Sequence, residues 1–91
     1  MSEEGMKDLT KPIVHMNGTS RAELLKQYVA AYKAVGAAED ALSGTYPNGR
    51  DYYPSGPDAI SAAMKEHHNR VMRLQTVKEE LADLMLHVGG V

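Results

Sequence analysis

From Leu24 to Leu42, and again from Ile60 to Val88, apolar and small residues return at alternating steps of four and three. This spacing keeps one stripe on one side of an α-helix for several turns, so it predicts two long amphipathic helices and no sheet. The first stripe is Leu24, Tyr28, Ala31, Val35, Ala38 and Leu42, widened by Leu25 and Tyr32. The second is Ile60, Met64, His67, Val71, Leu74, Lys78, Leu81, Met85 and Val88, with Ala63, Val77 and Leu84 beside it.

Local signals bracket both stretches. Ser20-Arg21-Ala22-Glu23 matches a capping box, in which the Ser hydroxyl and the Glu carboxylate reciprocally satisfy free backbone N–H groups. Gly44 ends the first helix. Gly36 inside it costs about 1 kcal/mol relative to Ala, and marks either plain weakness or the close approach of a neighbouring helix. Pro57 suits a first helical position because its missing N–H has no partner there, Asp58 adds a favourable charge, and Gly89-Gly90 stops the second helix. The expected organisation is an N-terminal arm over 1–19, then a helical unit over 20–91 with helix 20–43, loop 44–56 and helix 57–88. Within the arm, Pro12 favours extended chain before it and Asn17-Gly18 turns it. Ile13, Val14 and Met16 are expected to pin an extended stretch across the helices, with residues 1–9 frayed. The fold class is all-α: an antiparallel two-helix hairpin with an extended N-terminal arm.

At 91 residues, two helices bury one seam each and leave the flanking apolar positions wet. Self-association into a helical-bundle homo-oligomer, as a four-helix dimer or a higher ring, is therefore expected.

Composition then narrows the function. Ten Lys and Arg against 12 Asp and Glu give a net charge of -2, which excludes nucleic-acid or anionic-membrane binding by bulk charge. With no Cys there are no disulfides, thiolate nucleophiles, thiolate zinc sites or iron–sulfur clusters. No apolar run reaches the length of a membrane span, and Ser2-Glu3-Glu4 without an apolar segment after it is not a signal peptide. The expected location is the cytoplasm.

All five aromatic residues are Tyr, and all fall between Tyr28 and Tyr53. A phenol offers a face that stacks on a base and a hydroxyl for hydrogen bonding. Tyr28 and Tyr32 also fit as seam residues. Tyr52 and Tyr53 lie in the connector Asn48-Gly49-Arg50-Asp51-Tyr52-Tyr53, where Arg50 suits a phosphate and Gly49 lets a ligand near the backbone. The same run also reads as an Asn-Gly turn with Arg50 and Asp51 bridging helix ends. No acid occurs between His67 and Lys78, so Arg70 and Arg73 join His67 and His68 in a basic segment. A hairpin turning near residue 50 would set Arg70 and Arg73 level with Lys26 to Lys33, gathering cations on one side. The plainer reading is a solvated face in which Glu66 and Glu79 partner these charges. His67 is either a satisfied core histidine or a ligand. In the arm, His15, Asn17 and Thr19 precede a capped helix start, where they contact an anion or form the turn.

Four His residues raise a metal site, but His67 and His68 point about 100° apart, and Asp83 with His87 is a lone pair at i,i+4. No metal or cofactor is expected. Glu80-Leu81-Ala82-Asp83 resembles the Glu-x-x-Asp motif of the all-α NTP pyrophosphohydrolases, which implies magnesium-dependent cleavage of nucleoside triphosphates; the upstream acidic pair is missing, since Asn69 follows Glu66 at three residues. Val14 to Ser20 with Asn48 to Tyr53, between long helices, resembles small bacteriophage-encoded proteins of uncharacterised function. The size and layout are also similar to phage anti-defence sponges, which implies sequestration of a cyclic nucleotide signal without cleavage.

These observations lead to a non-enzymatic homo-oligomer that binds a small anionic ligand, a nucleotide or cyclic nucleotide, between protomers. Arg50, Arg70, Arg73 and Lys26 would take phosphates, Tyr52, Tyr53 or Tyr28 would stack, and His15, Asn17, Thr19 and His67 would complete the site. The alternative is a protein-interaction module docking on a host or virion protein, with a degenerate pyrophosphohydrolase as a third reading.

Overall fold

The computed structural model describes residues 9–89 and is helical. Helix α1 runs Arg21–Ser43, α2 Gly49–Tyr52 and α3 Ala59–Gly89, with a single 3-10 turn at Tyr53–Ser55. Among the described residues there is no strand.

The α1 start follows the capping signal by half. Ser20 Oγ accepts from the Glu23 backbone N–H at 3.1 Å. The Glu23 carboxylate turns forward instead and accepts from Gln27 Nε2 at 3.3 Å. At the other end, the backbone N–H groups of Gly44, Thr45 and Tyr46 and two hydroxyls satisfy the last carbonyls without a left-handed glycine. Ser43 Oγ donates to the Asp40 carbonyl at 2.6 Å and Thr45 Oγ1 to that of Leu42 at 2.7 Å. Gly44 keeps a right-handed conformation. Gly36 has open space around it: an added Cβ would meet nothing within 4 Å, so no neighbouring helix explains it.

The connector is more ordered than a plain loop. Asn48 Oδ1 accepts from the Arg50 N–H at 3.0 Å and caps the single turn of α2. Gly56, at φ 107°, makes the left-handed step that turns the chain into α3. Pro57 and Asp58 belong to that turn, so α3 begins two residues later than the proline signal suggests and runs one residue further, to Gly89.

Helices α1 and α3 pack together, and their contacts run in opposite order. Tyr46, just past α1, meets His67 early in α3; Glu39 meets Lys78; and Leu25 and Tyr32 share a groove with Ala82 and Leu86. In this register the first three turns of α3 extend beyond α1, where the connector packs on one side of them and leaves the rest exposed.

Burial follows from this offset. The fully buried positions among the described residues are Pro47, Ala63, His67 and Val88. They lie where the connector packs on one end of α3 and near its last turn at the other. Between the two helices, Leu24, Tyr28, Val35, Val71, Leu74 and Leu81 are only half-buried.

The arm is held at its start. Lys11 Nζ pairs with Asp83 at 3.3 Å, and His87 Nε2 lies 2.9 Å from the Pro12 carbonyl, so the i,i+4 acid and histidine of α3 grip the arm together. The expectation that Ile13 and Met16 pin this stretch is overturned: they are 80% and 95% exposed, while Pro12 and Val14 are half-buried. Extended chain alternates its side chains, so seating Pro12 and Val14 turns Ile13 outward. Gly18 N–H then closes the Asn17-Gly18 turn on the His15 carbonyl at 3.1 Å. The expected fraying of residues 1–9 falls, apart from Leu9, outside the described residues.

Candidate functional site

The connector end carries the densest set of candidate side chains. Asn48 caps the connector's single helical turn and Pro47 is buried, while Arg50 and Tyr53 stand in solvent. Tyr53 is 78% exposed and Tyr52 half-buried. A Cβ added at Gly49 would meet nothing within 4 Å, leaving that backbone open to approach.

Beneath this surface, Tyr46 and His67 meet as a T-shaped pair, with ring centroids 5.4 Å apart at 86°. His67 is 5% exposed and its Nδ1 has no hydrogen-bond partner. An imidazole nitrogen left unpaired when buried costs roughly 1–3 kcal/mol, and no described side chain or backbone group of the chain satisfies this one. Arg70 lies one turn further along α3 and Arg73 another, both exposed and without an ion pair among the described residues.

The expected gathering of Arg70 and Arg73 with Lys26 to Lys33 is overturned by the register. The chain reverses at Gly56 rather than near residue 50, because α2 and the 3-10 turn lengthen the connector. Tyr46 pairing with His67 therefore sets Arg70 and Arg73 beside the C-terminal end of α1. Lys26 lies roughly 25–30 Å away along the helix, at 1.5 Å per residue. Thus Lys26 and Tyr28 share the other end with the arm, where His15, Asn17 and Thr19 are exposed. His15 folds over Gly18, since a Cβ there would come within 2.8 Å of its Nε2. The eleven candidates thus form two groups, one at each end of the helix pair.

Between the groups lies a constellation that sequence reasoning passed over. Lys78 Nζ reaches Glu39 Oε1 at 3.0 Å and sits 5.0 Å over the ring of Tyr32. The hydrogen bond to Glu39 raises the Lys78 pKa above its ordinary 10.5, outweighing partial desolvation. A lysine on the apolar stripe of the second helix was the legible signal; its acidic partner on the other helix was not. Lys78 is thereby drawn across to α1 rather than to Glu79 or Glu66 on its own helix.

The arm contact also bears on the acidic motif. Asp83 is occupied by Lys11, and among the described residues no three His, Asp or Glu side chains converge as metal ligands. No described helix is long and apolar enough to cross a membrane. No protein-family model matches the chain, and no curated protein or solved structure matches it either.

Proposed function

We propose that this chain is an antiparallel helical hairpin that self-associates, and that the resulting oligomer binds a small anionic ligand of the nucleotide or cyclic nucleotide class without turning it over. The observation that carries this reading is that the connector is internally capped, yet holds Arg50 and Tyr53 out in solvent with no side-chain partner among the described residues. A guanidinium and a phenol displayed this way match a phosphate and a base. The two separated groups of candidates fit sites that lie between copies. In this reading the protein retains a nucleotide signal in the cytoplasm, as the phage sponges it resembles in layout do.

Native mass spectrometry of the full chain with linear and cyclic nucleotides tests the proposal. Stoichiometric retention of one nucleotide, released unchanged on denaturation, is expected. Arg50→Ala and Tyr53→Ala are each expected to weaken it at least tenfold with helix content intact. Retention by both variants at the wild-type level would overturn the site.

A second reading rests on a different observation. Met64, Met72 and Leu86 are 41%, 45% and 55% exposed along α3, an apolar complement suited to docking on another protein. A well-defined oligomer that retains no nucleotide would favour it.

A further inference from the structure

The arm and the ends of the two long helices carry matching features that one protomer cannot join. The last turns of α3 have a covered side and a bare side: Val88 is 2% exposed, whereas Leu86, about 200° away around the helix, is 55% exposed. On the bare side, Leu25, Val29 and Tyr32 of α1 and Ala82, Met85 and Leu86 of α3 line an open apolar groove. A few residues away, the arm projects Ile13 and Met16, the two most exposed large apolar side chains described. The arm's own protomer does not take them up, because Lys11 on Asp83 and Pro12 on His87 hold its start in place while Val14 turns inward.

We infer that Ile13 and Met16 of each copy seat in the Leu25–Val29–Leu86 groove of a second copy. Hook and groove lie at the same end of the protomer, so the exchange is reciprocal and closes as a two-fold dimer. Burying both hooks removes the most exposed large apolar side chains among the described residues from water and fills the groove. The arm from Leu9 to Thr19 together with the groove approaches the 20–30 residues a side of a standard stable interface. Charge agrees with this occupant. Lys26 and Lys33 rim α1 beside Leu25 and Val29, whereas in the sequence leading into the hook Glu3, Glu4 and Asp8 outnumber Lys7 and Lys11. The exchange rests on the proposed self-association. It also places His15 and Asn17, which flank Met16, beside Lys26 of the other copy.

Mixing complementary variants of the full chain tests this. Ile13→Asp with Met16→Asp removes the hook, and Leu86→Asp blocks the groove; none of these side chains is buried in its own protomer, and far-UV circular dichroism checks that the helices persist. Each variant alone is expected to weaken association, the hook variant by about ten-thousandfold, at roughly tenfold for each of the four side chains that the reciprocal exchange seats. A mixture of the two is expected to recover a heterodimer through the one intact hook and groove, and raised salt to weaken the wild-type dimer. Variants that associate like the wild type, or losses that mixing does not restore, overturn the exchange while self-association stands. A wild-type chain that stays monomeric at every concentration removes both.

Discussion

Gly36 occupies the middle of α1 with free space where a side chain would be, so its flexibility weakens the helix with no packing to offset it. Gly36→Ala is therefore expected to raise stability by about 0.5–1 kcal/mol, read as a higher denaturation midpoint. His67 behaves in the opposite sense to a normal core residue. Exchanging it for Leu keeps an apolar volume against Tyr46 and removes the unpaired Nδ1, so His67→Leu is expected to stabilise by about 1 kcal/mol. A loss of stability in urea titration would show instead that the imidazole makes a bond in solution. Lys78 binds its proton more tightly in the folded chain than in the unfolded one. Its contribution is complete below the ordinary 10.5 and disappears as pH rises through the elevated folded value. Melting temperature is thus expected to fall more steeply above that pH for the wild type than for Lys78→Met.

At the level of elements, the helices were legible because their evidence is local. Ser20 caps α1 as its sequence context demands, and Ser20→Ala is expected to cost about 1 kcal/mol, measurable by denaturation. Periodicity placed α1 and α3 to within two residues at each end, and Asn17-Gly18 formed its turn. What local reasoning missed depends on register. The connector reads as Pro- and Gly-rich loop, yet Asn48 and Gly56 fold it into a helical turn and a reversal that shift the pairing of the long helices. That shift separated Arg70 and Arg73 from Lys26. Alternation in the extended arm likewise inverted which residues face the helix, a reading that requires knowing that Lys11 and Pro12 are the anchors.

For the whole molecule, the seam between the long helices is half-buried throughout and supplies no fully enclosed side chain along its middle. Under the proposed self-association the folded form is the one that associates, so the melting temperature is expected to rise with protein concentration. Arg50, Tyr52 and Tyr53 share one capped connector, as their adjacency in the sequence requires. The division of the candidates between two ends was not legible, because no single-sequence pattern reports the distance between residues on different helices.

The offset of α3 beyond α1 also sets an order of events for the chain. Tyr46 meeting His67 closes a short stretch of backbone, whereas His87 meeting Pro12 spans 75 residues. The longer closure costs about 1 kcal/mol more in chain entropy. During refolding, amide protection is therefore expected around the connector and the first turns of α3 before it reaches the arm, and under native conditions the arm is expected to exchange first. The end that displays Arg50 would be in place early and stay in place, leaving the end that carries Ile13 and Met16 as the part of the molecule most readily released and re-docked.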